Sequence, residues 1–228
     1  MKNIVFLKLG TMLLIVLFIV SIISTVLMVK ANKEKESYII GKTIYVDAGH
    51  GGKDNGASVD SVLEDNINLN ISKYLIEKLI DLGAYVITSR SGDYDLADVY
   101  DRNRKREDLN NRVRYINKSR PDLFISIHLN AYSSSNVKGA QVFYQNTEKS
   151  KLLADIVQGE LNNITSKDRK IKNGDYFILN QTKITGVLVE CGFLSSPEER
   201  IKLNDSNYQI KIADKISRGI VKYFYTQG

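Results

Sequence analysis

The sequence predicts a single α/β domain, a mostly parallel β-sheet flanked by helices on both faces, preceded by an N-terminal transmembrane or signal segment. Three observations carry this reading. Stretches of strand and helix character alternate through most of the chain, the pattern of a parallel sheet joined by crossover helices. Residues 123–129 and 186–190 are near-continuous apolar runs, as expected of strands covered on both faces. Setting the first thirty of the 228 residues aside leaves about two hundred, enough for one sizeable core and tight for two.

The elements follow in order. Twenty-one uncharged residues, Leu9 to Val29, lie between Lys8 and Lys30, long enough to cross a bilayer as a helix. A secretory signal usually has a shorter apolar core and a small-residue cleavage site, and no A-x-A pattern follows. The run is therefore read as an uncleaved anchor, with an exported, cleaved signal as the alternative. Residues 1–30 form this segment, 31–41 a linker, and 42–228 the folded domain.

Residues 43–47 read as a strand ending in a glycine-rich turn, and Ile67, Ile71, Leu75, Leu79 and Leu82 as a helical stripe closed by Gly83. A strand at 84–88 comes next. The polar stretch 93–106 is a long loop of the kind that borders substrate sites. Leu109, Val113 and Ile116 mark an amphipathic helix over 108–118. Strands at 123–129 and 140–144, a helix at 149–162, an extended piece at 176–179 and a buried strand at 186–190 follow. A last helix over 207–225 carries Ile212, Ile216, Ile220 and Phe224 on one face.

Charge narrows the partners. The formal charge of +6 falls to +3 without Lys2, Lys8 and Lys30, since residues 1–30 contain no acid. The densest basic stretch, from Arg102 to Arg120, falls on the amphipathic helix and its approach, so its basic side chains are read as the wet face and no nucleic-acid partner is expected. Cys191 is the only cysteine, which rules out an internal disulfide.

His50 and His128, the only histidines, both sit where a strand runs out. In an open α/β sheet such residues face one crevice beyond the carboxyl ends of the strands. Glu190 ends another buried strand, and an acid there needs a cation or a hydrogen-bonding partner. Glu64 lies three residues before Ile67 and seven before Ile71, on the sheet-facing side of the first helical turn. Two imidazoles and a carboxylate are a ligand set for a catalytic zinc, and a second carboxylate close by serves as base towards its water. Spacing alone leaves open that these residues are structural. The glycines of GHGGKDNG suggest a phosphate cradle, but no Lys-Ser/Thr pair ends the loop, and no G-x-S-x-G elbow marks a serine hydrolase.

The segments IYVDAGHGGKDNGA, VITSR, DLFISIHLNA, KGAQVFY and GVLVECGFLSSPEE, with Glu64 opening its helix, resemble in order and spacing the zinc-dependent N-acetylmuramoyl-L-alanine amidases of the amidase-3 type. The resemblance implies a peptidoglycan hydrolase with Zn2+ on His50, Glu64 and His128, Glu190 as general base, and Arg90 and Asn130 shaping the site or contacting substrate. Cys191 is then a small buried residue beside the base. Ser196 departs from the family pattern, standing where asparagine is common. The small size, apolar N-terminus and lack of wall-binding repeats resemble the spore-cortex members, which implies a role in the muramic lactam pathway and a site between the forespore membranes. A stand-alone catalytic domain with no targeting module adds the expectation of an accessory protein. The alternatives are a vegetative cell-wall amidase, a zinc peptidase of the wall and a non-catalytic peptidoglycan-binding module.

Overall fold

A computed structural model describes the backbone of residues 2–227 and the side chains of residues 12–30 and 38–227. Helix α1 spans Lys2–Ser37. Within it Met12–Lys30 is long and apolar enough to cross a membrane, with a mean hydropathy of 3.0. The side chains of residues 9–11, part of the expected span, lie outside the described residues. The helix continues through 31–37, most of the 31–41 segment expected to be a linker, and Ile39 is already fully buried in the following domain.

From Ile39 onward the chain is a second unit, built on a six-stranded sheet. Its strands are β1 (Thr43–Ala48), β4 (Tyr85–Thr88), β5 (Leu123–Asn130), β6 (Gln141–Tyr144), β7 (Lys172–Asn173) and β8 (Gly186–Phe193). Their order is β4-β1-β5-β8-β6-β7. The four strands from β4 to β8 are parallel, and β6 runs antiparallel to β8. A separate hairpin, β2 (Ser58–Val59) and β3 (Val62–Leu63), turns through Asp60 and Ser61, both at positive φ (49° and 64°). That is the sense of turn whose twist matches a two-residue hairpin.

The helices are α2 (Glu64–Asp81), α3 (Arg104–Ser119), α4 (Glu148–Asn162), α5 (Phe177–Gln181), α6 (Pro197–Leu203) and α7 (Ser206–Gln227). Ile67, Ile71, Leu75 and Leu79 of α2 are buried as expected. The helix stops at Gly83, at φ 88°, where the N–H groups of Gly83 and Ala84 bond the carbonyls of Ile80 and Leu79, a Schellman closure. Helix α7 packs against both α2 and α4 on one face of the sheet. On the other face α3 and α5 bury Ile116, Ile178 and Leu179 against Tyr45, Phe124 and Leu188.

Side chains alternate across a strand, so Asp47, Ser126, His128 and Glu190 share the face of Tyr45, Phe124 and Leu188. The chemistry therefore lies on the α3 and α5 side, at the carboxyl ends of β1, β5 and β8.

Three further expectations change. Residues 177–181 form the helix α5 rather than an extended piece, since Ile178 and Leu179 fill the layer over the sheet and a short apolar run carries no period to distinguish the two. Helix α3 begins at Arg104, and its Arg112 is 1% exposed, so the basic side chains are not all a wet face. β8 continues three residues past Glu190, and the unanticipated α6 follows. Ser196 caps α6, its Oγ accepting from Glu199 N–H at 3.4 Å, which gives the serine a structural use.

Candidate active site

The loop leaving β1 carries the first imidazole. Gly49 N–H bonds the Ile127 carbonyl (3.0 Å) and so continues β1 alongside β5. A Cβ on Gly49 would stand 2.3 Å from His128 Cε1, so only glycine lets the two strand ends bring their imidazoles together. His50 adopts φ 60°, a left-handed conformation that costs a side-chain-bearing residue on the order of 1–3 kcal/mol. Its carbonyl accepts from Arg112 Nη2 (2.7 Å) and its Nδ1 lies 2.9 Å from Asp54 Oδ2, which leaves Nε2 directed at Glu64 Oε1, 3.2 Å away.

Glu64 is the hub. It opens α2, is 3% exposed, and accepts from Leu129 N–H (3.0 Å) and Asn68 Nδ2 (3.2 Å) at Oε1 and from Ala57 N–H (2.8 Å) at Oε2. His128 Nδ1 lies 3.1 Å from the same Oε1. One ligand atom each from His50, Glu64 and His128 falls within 4.8 Å of the others, a cluster able to hold a metal ion. The two rings meet edge to face at 4.9 Å. Burial opposes ionisation of Glu64, but the two imidazoles outweigh it and hold its carboxyl far below the ordinary range. Burial likewise disfavours a charged His50, yet Glu64 and Asp54 raise its pKa to about 9.

Glu190 is the register partner of His128 across β5 and β8. It is 5% exposed, and its Oε1 accepts from the Tyr176 hydroxyl at 3.3 Å while Oε2 has no partner. Burial pushes its carboxyl up to about 7. Buried carboxylate oxygens are rarely left unbonded, and this one has the hydrogen-bonding capacity that a reacting water would use.

The residues beneath the site were less legible. Arg112 donates to Asp47 Oδ1 (2.6 Å), Asp108 Oδ2 (2.8 Å) and the Ala48 carbonyl (2.7 Å), so one buried guanidinium ties α3 to the end of β1. Arg90, expected to shape the site or contact substrate, is 1% exposed and donates to the carbonyls of Ala48, Gly49, Asp65 and Gly92. Its guanidinium is used in holding the His50 loop from below. Asn130 ends β5 and accepts from Leu194 N–H through its main chain (2.8 Å), joining β5 to the end of β8. Cys191 is 1% exposed, and burial holds its thiol well above its ordinary pKa, which suits packing rather than attack.

A cleft opens over the imidazoles, lined by His50, His128, Asp54, Lys105 and Ile178. Beside it Lys53, Asp95 and Arg104 border a second cavity of about 250 Å³. The expected loop over 93–106 thus reaches the site, where Asp93 Oδ1 accepts from Gly52 N–H at 2.6 Å.

Comparison with known proteins agrees with this geometry. The N-acetylmuramoyl-L-alanine amidase family matches residues 44–222. The germination-specific N-acetylmuramoyl-L-alanine amidase of Bacillus subtilis (strain 168) is 43% identical over 197 residues, covering 82% of each chain. The CwlD amidase of Clostridioides difficile, solved in complex with the GerS lipoprotein, is 40% identical with a TM-score of 0.79, over 82% of this chain and all of that one. An N-acetylmuramoyl-L-alanine amidase of Clostridium difficile 630 is 31% identical with a TM-score of 0.75, over 82% of this chain and 99% of that one. This chain belongs to the amidase-3 family of N-acetylmuramoyl-L-alanine amidases.

Proposed function

We propose that the chain cleaves the amide between N-acetylmuramic acid and L-alanine with a zinc ion on His50, Glu64 and His128 and with Glu190 as general base. The observation that carries this is the meeting of three ligand atoms within 4.8 Å beside a buried carboxylate whose Oε2 lacks a partner. Two imidazoles and one carboxylate fit a zinc site that keeps a position open, and Asp54 on His50 Nδ1 supplies the outer hydrogen bond that fixes a ligating imidazole. When bound, zinc supplies Lewis acidity to the scissile carbonyl and makes water a stronger acid.

The chain's own groups do the rest. Glu190 takes a proton from the attacking water as the new C–O bond forms, and returns it to the L-alanine nitrogen as the C–N bond breaks. The lactyl carboxylate stays on the glycan and the peptide leaves as a free amine. Arg90 and Arg112 hold the strand ends so that these groups keep their places. Asn130, at the end of β5, is the residue assigned to substrate contact.

The substrate setting proposed is spore cortex, where muramic acid stripped of its peptide feeds formation of muramic lactam. The germination-specific relative and the CwlD amidase support this, and the GerS complex of the latter supports an accessory lipoprotein here. Met12–Lys30 is assigned as a membrane anchor with the catalytic domain outside the cytoplasm, because peptidoglycan lies on that side. Protease added to protoplasts, forespores excepted, should degrade the domain; complete protection would reverse this topology.

The decisive experiment is metal analysis of the purified chain together with mass spectrometry of digested peptidoglycan. Zinc near one equivalent, with intact glycan and free stem peptide as products, is the expected result. Cleavage between two amino acids would make the protein a peptidase instead.

A further inference from the structure

We propose that Tyr176 is a positioning residue for the hydrolysis, its hydroxyl holding Glu190 Oε1 so that Oε2 is presented to the reacting water. The proposal rests on the assignment of Glu190 as base. A carboxylate rotates broadly about its last torsion, and a buried one is oriented by whatever donors reach it. Among the described residues Glu190 has one such side-chain partner, the Tyr176 hydroxyl at 3.3 Å, and it engages a single oxygen.

Tyr176 is itself fixed from two sides. Its ring meets Phe143 of β6 edge to face, with centroids 4.9 Å apart. Gly174 lies under the ring, where a Cβ would come 2.7 Å from Tyr176 Cδ2 and 2.9 Å from Phe143 Cβ. The residue stands in extended backbone at the N-cap of α5, whose Ile178 and Leu179 are in the core. Packing of that short helix therefore sets where the hydroxyl points. Burial and the neighbouring Glu190 carboxylate raise the phenol above its ordinary pKa, so it keeps the proton it donates. A half-buried tyrosine packed against the core, with its ring against Phe143 and its hydroxyl on the orphaned acid, is placed to orient that acid.

The test uses the full chain in detergent with defined muropeptide substrate. Tyr176→Phe keeps the ring and its packing and removes the hydroxyl. A lost hydrogen bond to a charged group predicts a fall in kcat of about tenfold, with KM and zinc content unchanged. Gly174→Ala, which displaces the ring, should lower kcat in the same way. Wild-type turnover by Tyr176→Phe would overturn the proposal, as would a rise in KM at constant kcat, which would put the hydroxyl on the substrate. Loss of zinc in step with rate would overturn it too, by making the role structural. Should Tyr176→Phe be fully active while Glu190→Gln is inactive with zinc bound, the positioning role fails and the base stands. An active Glu190→Gln enzyme removes both.

Discussion

Arg112 and Asp47 meet at 2.6 Å beneath the cleft, both almost wholly buried, and the same guanidinium reaches the His50 carbonyl. Burial alone would raise the Asp47 carboxyl, but Arg112 and the Ser126 hydroxyl outweigh it and hold it below its ordinary value. Removing one partner of such a pair leaves an uncompensated buried charge, so Arg112→Ala should cost about 3–5 kcal/mol of stability. The sign with pH follows from the depressed carboxyl. Its stabilisation is present above the ordinary carboxylate range near pH 4 and is lost as pH falls through the lower folded value. Thermal unfolding from pH 2 to 7 should show this acid limb in the wild type and a much weaker one in Arg112→Ala.

That pair also marks where the sequence stops being readable. His50, His128 and Glu190 were visible because each ends an apolar run, and the crevice rule needs only that position. Arg112 was taken with the solvated basic residues, although it stands three residues after Leu109 and four before Ile116, on the apolar stripe, with Asp108 one turn behind. Its partner lies 65 residues away, and no local pattern connects them. Asp54, four residues after His50, had a local signal in the loop itself. Tyr176 had none, because its use depends on β6, β8 and a five-residue helix meeting in space. The mostly parallel sheet, by contrast, followed from alternation alone except at β6 and β7, whose antiparallel and edge pairings depend on chain reversals that hydrophobic pattern does not encode.

Gly56 faces the ligands directly. It sits at φ 65°, and a Cβ there would come 2.5 Å from Glu64 Oε2 and 2.8 Å from His50 Cδ2. Gly56→Ala should therefore weaken metal binding by at least tenfold while the melting temperature of the metal-free protein moves by only a few degrees. Metal titration alongside calorimetry checks this. A variant with normal affinity would mean that the loop relaxes without disturbing Glu64.

Metal affinity should depend on pH through His50. The metal-free protein holds a proton on that imidazole up to about pH 9, and a ligating nitrogen must give it up. Apparent affinity is thus weakest in acid and rises with pH, about tenfold per unit below 9 for the one proton displaced. Competition with a chromophoric chelator from pH 6 to 9 measures the slope. A flat response would show that His50 does not bind the ion through a titrating nitrogen. His50→Ala, Glu64→Ala and His128→Ala should each lose metal and activity together, and added zinc should restore a chelated wild-type enzyme but none of these variants.

Glu190→Gln separates binding from chemistry. The amide keeps the shape of the carboxylate, and its oxygen still accepts from the Tyr176 hydroxyl, but it cannot take a proton from water. As Glu190 lies outside the His50, Glu64 and His128 cluster, the variant should fold and bind zinc as the wild type does. Its rate should fall by roughly 10² to 10⁴, the usual contribution of a positioned general base. Loss of zinc together with activity would mark Glu190 as a ligand and require another role for Glu64. Near-normal turnover with zinc in place would overturn the assignment of Glu190 as base: Glu64 is engaged at both oxygens and Asp47 is held by Arg112 and Ser126, which would leave Asp65 Oδ1, the other buried carboxylate oxygen without a partner among the described residues, as the acceptor to test.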